Sequence, residues 1–200
     1  HSALTYQDMD KFELAFQNYE EALKIDSSYP YAYYYRGQCY SKIGENEKAL
    51  SDFSKAISMQ DDIGGAVYYA RVLIYEKLGN PKAVIADTSK LIELSWNVSH
   101  ALCSRAAAYQ QLHKYQEALN DYLELLKRNP ENATTLMEIA RNYIDLENYD
   151  EAIQFIDKAI ALQADNEAHW IIRGSAYMAM GLYDNAILDY TQAIKINPQP

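Results

Sequence analysis

Residues 167–200 read EAHWIIRGSAYMAMGLYDNAILDYTQAIKINPQP, and the reading of this stretch decides the fold. Aromatic and small side chains fall at Trp170, Gly174 and Tyr177, and again at Tyr183, Ala186, Tyr190 and Ala193. Steps of three, four and seven place each group on one face of an α-helix. Gly181-Leu182-Tyr183 separates the two groups, so the stretch reads as two short helices folded back on each other. Gly174 and Ala186 are small enough for the helices to approach closely, and the aromatic residues fill the space around that contact.

The same spacing runs back through the chain. Tyr6, Tyr40, Tyr75, Tyr109, Tyr143 and Tyr177 recur at intervals of 34, 35, 34, 34 and 34 residues. Three residues before each stands Ala3, Gly37, Val72, Ala106, Ala140 or Gly174. Nine after each stands Ala15, Ala49, Val84, Ala118, Ala152 or Ala186, and seven further on Ala22, Ala56, Leu91, Leu125, Ala159 or Ala193. A fixed period of this length is the mark of stacked helix–turn–helix units, each of which buries its apolar face against its neighbours. Gly44-Glu45-Asn46 and Gly79-Asn80-Pro81 provide further breaks, and Pro81 suits a first helical turn. Asp10, Asn80, Asp150 and Asp184 stand near the expected starts of second helices as candidate caps.

This pattern resembles the tetratricopeptide repeat, W-x2-L-G-x2-Y, then A-x3-F, then P over about 34 residues. Trp170, Gly174, Tyr177, Gly181, Ala186, Tyr190, Ala193 and Pro198 fall on its fourth, eighth, eleventh, fifteenth, twentieth, twenty-fourth, twenty-seventh and thirty-second positions; Arg173 stands where Leu is usual. The resemblance implies an all-α fold, a right-handed superhelical solenoid of stacked hairpins forming one array. Its repeats would be 1–29 (lacking most of its first helix), 30–64, 65–98, 99–132, 133–166 and 167–200. The third is the least typical, with Val72, Val84 and Leu91 at small positions, Thr88 at an aromatic one and Trp96 for the terminal Pro. It is expected to be a repacked but intact hairpin.

Composition narrows the function. A net charge of −10 argues against nucleic acid, whose phosphates select for clustered Lys and Arg. No apolar run approaches the ~18 residues needed to span a membrane. Residues 1–29 carry 2 basic and 6 acidic groups and residues 133–166 carry 2 and 7, whereas residues 65–132 carry 8 and 7. The chain opens at His1 and is expected to be a processed or excised piece, either continuing past at least one end or having an exposed terminal face covered by another molecule. Cys39 and Cys103 lie two repeats apart, too far for a disulfide, and both are expected to be buried.

No catalytic or cofactor constellation is present. His1, His100, His113 and His169 lack metal-ligand spacing, and neither a phosphate-binding glycine loop nor a nucleophile elbow occurs. The chain is therefore read as a non-enzyme without metal or cofactor. Asn97-Val98-Ser99 and Asn132-Ala133-Thr134 match the glycosylation triplet, a pattern common by chance. Arg36, Arg71, Arg105 and Arg173 share position seven, and the simplest reading packs their stems between hairpins with the guanidinium near the surface beside a carboxylate.

The tyrosines are more informative. Of 19, the repeat accounts for those at positions four, eleven, seventeen and twenty-four, leaving Tyr29, Tyr31, Tyr34, Tyr35 and Tyr69. Positions two, five, nine and twelve of each first helix point away from the packed face, and in tetratricopeptide arrays they form the inner, concave wall. Here that wall is unusually apolar. A partner-binding site is expected at Tyr31, Tyr34, Tyr69 and Leu73, with Met137 and Ile171 as a distal extension, all largely exposed.

The resemblance implies binding of a protein or peptide partner. The family's carboxylate clamp for chaperone tails requires Lys at five, Asn at nine and Asn at six, and these residues are missing. Two alternatives stand beside the scaffold reading: a regulatory or targeting module excised from a larger enzyme or sensor, and a structural array that self-associates through exposed terminal repeats.

Overall fold

The structure, a computed structural model, describes residues 12–59 and 63–198. Among these residues every regular element is an α-helix. The chain divides into two compact units, His1–Ala101 and Leu102–Pro200.

The first unit holds α1 (Phe12–Ile25), α2 (Pro30–Lys42), α3 (Asn46–Met59), α4 (Gly65–Lys77) and α5 (Pro81–Glu93), together with the first turn of α6 (Val98–Gln111). Helices α1 to α5 pack in sequence, and α2 also meets α4. The second unit holds the rest of α6, then α7 (Tyr115–Arg128), α8 (Ala133–Asp145), α9 (Tyr149–Leu162), α10 (Glu167–Ala179) and α11 (Tyr183–Ile196). Here α7 to α11 pack in sequence, and α8 also meets α10. In each unit the first helices of successive hairpins therefore stand side by side.

Small residues set the approach within a hairpin. A Cβ on Gly37 would come within 2.7 Å of the Phe53 ring, and one on Gly174 within 2.9 Å of the Tyr190 ring. Both aromatics use the space left by the missing methyl group. Among the described residues the turn between paired helices takes one conformation: Gly44, Gly79, His113, Glu147 and Gly181 all have positive φ. Glycine enters that region freely, whereas His113 and Glu147 do so at a steric cost.

Capping differs in part from the sequence reading. Asn80 does cap α5, its side chain accepting from the Ala83 N–H. Asp150 and Asp184 do not cap. They lie inside the first turns of α9 and α11, behind Asn148 and Leu182, where a carboxylate favours the positive end of the helix dipole without closing it. Asp10 lies outside the described residues. Two caps the reading missed are Asn132 and Asn166, which accept from Thr135 and Ala168 at the starts of α8 and α10.

The position-seven arginines are clamped. Arg36, Arg71, Arg105 and Arg173 each donate through Nε and Nη2 to both oxygens of the aspartate sixteen residues on, Asp52, Asp87, Asp121 and Asp189. All four carboxylates are buried. These charge-assisted forks tie the first helix of a hairpin to its second. Residues 133–166 place Ile139 and Phe155 at the same two positions, and an apolar contact replaces the ion pair.

Cys39 is buried and Cys103 is exposed, which corrects the expectation for Cys103; the two form no disulfide. Cys103 occupies position five, which faces away from the packed face and so stays in contact with solvent. Among the described residues no helix is long and apolar enough to cross a membrane.

Candidate partner-binding wall

The residues at positions two, five, nine and twelve are all reached by solvent. In the first unit they are Tyr31, Tyr34, Gln38 and Ser41 on α2 and Ala66, Tyr69, Leu73 and Glu76 on α4. A cleft of about 360 Å³ opens between these helices, lined by Gln38, Ser41, Lys42, Phe53, Ala70 and Leu73. Leu73 stands 45% exposed at its edge and Tyr31 is 38% exposed further up α2.

Tyr34 and Tyr69 are not largely exposed, contrary to the sequence expectation; both are half-buried by aromatic neighbours. The Tyr34 ring lies 5.1 Å from Tyr35 and 6.0 Å from Phe53, and its hydroxyl accepts from the Gln38 amide at 2.7 Å. Burial, with the neighbouring Tyr35, raises its pKa above the ordinary tyrosine value. Tyr69 packs 5.2 Å from Trp96 and meets His100 edge-on at 4.9 Å. Trp96 reaches this place because Gly65 has no side chain: a Cβ there would fall 2.2 Å from the indole. The departure of the third repeat from a terminal Pro thus builds an aromatic cluster against its first helix. Truncating Tyr34 or Tyr69 would remove packed ring area, so stability losses of roughly 1–2 kcal/mol apiece replace the negligible effect expected of free surface residues.

In the second unit the wall is more polar. Gln110 accepts from the Tyr122 hydroxyl and donates to Glu138, both at 3.2 Å, and Arg141 lies 3.7 Å from Glu138. Burial, then the nearby Glu138 charge, holds the Tyr122 phenol well above its ordinary range. Ile171 is exposed, as expected. Met137 is not. It is half-buried against the cluster of Leu136, Ala140, Ala152 and Ile156, because its flexible side chain folds down onto that core.

Together, the first unit offers a cleft of mixed polar and apolar lining on helices that carry half-buried aromatic residues, and the second offers fixed hydrogen-bonding groups with isolated apolar tips. Among the described residues no three His, Cys, Asp or Glu side chains converge as metal ligands.

The comparisons with known proteins agree with this architecture. Tetratricopeptide repeat family models match residues 109–174 and residues 30–62 and 169–200, and a TPR repeat model matches residues 4–44. Anaphase-promoting complex subunit 7 of Dictyostelium discoideum is 22% identical over 197 residues, 98% of this chain and 34% of that protein. Hsp70-Hsp90 organizing protein 1 of Glycine max is 31% identical over 85 residues, 42% of this chain and 15% of that protein. The chain thus spans 34% and 15% of the length of these curated relatives. The crystal structure of YrrB, described as a TPR protein with an unusual peptide-binding site, superimposes with a TM-score of 0.76 at 15% identity, covering 90% of this chain and 93% of that one. At that identity the likeness speaks to the fold, a solenoid of tetratricopeptide hairpins. With tetratricopeptide models together matching residues 4–62 and 109–200, this chain belongs to the tetratricopeptide-repeat family.

Proposed function

We propose that this protein-interaction scaffold holds an extended, apolar, aromatic-anchored segment of a partner against its first helices, with Tyr31, Tyr34, Tyr69 and Leu73 as the main contacts. Met137 and Ile171 are secondary ones. The observation that supports the reading is the cleft between α2 and α4, with Leu73 exposed at its edge, on the two helices that also carry Tyr31, Tyr34 and Tyr69. Rigid aromatic side chains of this kind anchor partners at little entropic cost.

On this reading the repeats from 1–29 through 167–200 act as one non-catalytic array. The partner is not a chaperone tail held by a carboxylate clamp. Positions five and nine carry Tyr34 and Gln38, Tyr69 and Leu73, Cys103 and Ala107, Met137 and Arg141, and Ile171 and Ser175, none of them the required Lys or Asn. A second reading, a targeting or regulatory module of a larger protein, is favoured by the relatives named above, of which this chain covers 34% and 15%.

Selection of a displayed peptide library on the wild-type chain, with counter-selection on a Leu73→Asp variant, tests the proposal. Enrichment of apolar, aromatic-containing sequences that fail on the variant supports it. Selected peptides that bind both chains equally would reject it.

A further inference from the structure

Between α10 and α11 a cavity of about 330 Å³ opens to solvent, with Trp170, Arg173 and Tyr177 on one side and Asn185, Leu188, Asp189 and Gln192 on the other. Leu188 stands 70% exposed there. The α10 side is held in place. The Trp170 indole donates to the Ala164 carbonyl at 2.9 Å, and the Arg173 guanidinium lies 4.9 Å from the indole ring and 5.9 Å from the Tyr177 ring.

Continuation of the array does not cover this position. The residues equivalent to Leu188 are Gln17, Ser51, Ala86, Asn120 and Gln154, and all are exposed, including those of α1, α3, α7 and α9, on which the next helix packs. Each is small or polar, whereas Leu188 is large and apolar. A single exposed leucine is ordinary, but one set at the mouth of an aromatic cavity marks a binding surface. The flanking positions change with it. Where α11 has Asn185, α3, α7 and α9 have Lys48, Glu117 and Glu151; where it has Gln192, they have Lys55, Glu124 and Lys158. The Lys48 ammonium lies 5.6 Å from the Tyr40 ring, and Asn185 is too short to cover Tyr177 in the same way.

The charge of the site is also set. Asp189 holds Arg173 through both carboxylate oxygens, and Asp157 of α9 accepts from its Nη1 at 2.6 Å. One guanidinium between two carboxylates leaves a net negative charge. The Asp157 side chain stays 50% exposed and has a second oxygen to accept.

We propose that this cavity is a second docking site, and that its occupant is an extended, basic segment of a partner chain. A large apolar side chain of that segment lies against Trp170, Tyr177 and Leu188, and a nearby lysine or arginine meets Asp157. Asn185 and Gln192 stand seven residues apart, about 10 Å along α11, and each amide can both donate to and accept from a peptide backbone. That spacing matches about three residues of extended chain. The excess carboxylate selects a basic segment and disfavours an acidic one. The site is independent of the α2–α4 cleft, and neither proposal requires the other.

A displayed peptide library selected on the full chain carrying Leu73→Asp, which sets aside peptides that use the α2–α4 cleft, tests the proposal. Enriched peptides are then titrated by fluorescence anisotropy. Sequences that pair a large apolar residue with a nearby lysine or arginine are expected, and they should bind the wild type and Leu73→Asp within about twofold of each other. Leu188→Ser should weaken them about tenfold or more, and Asp157→Asn severalfold with a shallower dependence on salt. Circular dichroism confirms that the variants stay folded, as expected for exposed positions. Failure to enrich any peptide, enrichment of acidic ones, or equal binding to Leu188→Ser overturns the proposal. A concentration-dependent dimer in sedimentation, abolished by Leu188→Ser, would assign the site to a second copy and overturn it as well.

Discussion

Arg36 and Asp52 hold each other through two parallel hydrogen bonds, each 2.7 Å long, with the carboxylate buried between helices. Three further hairpins repeat the pair, while Ile139 and Phe155 replace it in the fifth repeat. Removing one partner strands a buried charge, whereas replacing both with apolar groups of fitting shape is close to neutral. Arg105→Ile alone should therefore destabilise by about 3 kcal/mol, and Arg105→Ile with Asp121→Phe should recover most of the loss. Urea unfolding of the two single variants and the double variant measures the coupling; additive losses would show that the pair is not a unit.

Glu147 occupies the left-handed turn position that Gly44, Gly79 and Gly181 take elsewhere, with φ of 61°. Relieving a non-glycine residue there stabilises by about 0.5–1 kcal/mol once the greater freedom of glycine in the unfolded chain is deducted. Glu147→Gly should raise the Tm by a few degrees. His113→Gly should gain less, because His113 also shares a 2.7 Å hydrogen bond with Tyr115.

Much of this architecture is legible in the sequence, since one physical constraint recurs six times. Two helices can approach only over small residues, and the spacing of Gly37, Ala49 and their counterparts shows where. A carboxylate beside each position-seven arginine is legible too, and the sixteen-residue separation that recurs four times points to Asp52, Asp87, Asp121 and Asp189, but helical phase alone does not say that these carboxylates are buried. The degree of exposure of Tyr34, Tyr69 and Met137 was less accessible. Helical phase says which way a side chain points, but not that Trp96 will cross Gly65 to cover Tyr69, or that Gln38 will hold the Tyr34 hydroxyl.

Asn142 is fully buried, and its Oδ1 has no hydrogen-bond partner, although its amide donates to the Glu138 carbonyl at 2.8 Å. The same position holds Cys39, Ile74, Ala108 or Ala176 in other hairpins. A stranded buried acceptor costs about 1–3 kcal/mol, more than one intrahelical side-chain bond returns. Asn142→Ala should be neutral or stabilising by up to about 1 kcal/mol. A clear loss of stability would show that Asn142 Oδ1 is satisfied in solution.

Burial pushes the Cys39 thiol up to about 11, against the opposing pull of Lys42. A group whose folded pKa lies above its unfolded value contributes stability at low pH and loses it as pH rises through the folded pKa. The wild type should therefore weaken between about pH 9 and 11, and Cys39→Ala should lose on the order of 1 kcal/mol less across that window. Denaturant midpoints at the two ends of the range test this. Identical slopes for both proteins would show that the thiol does not titrate in the fold.

The central claim is that partners lie against the first helices of the first unit. A photo-crosslinking amino acid placed at Tyr31, on the proposed wall, and separately at Ala86, an exposed position of α5, tests it directly in the presence of a peptide selected on the wild-type chain. The account predicts a covalent adduct from position 31 that Leu73→Asp abolishes, and none from position 86. Adducts from position 86 alone, or equally from both, would contradict it.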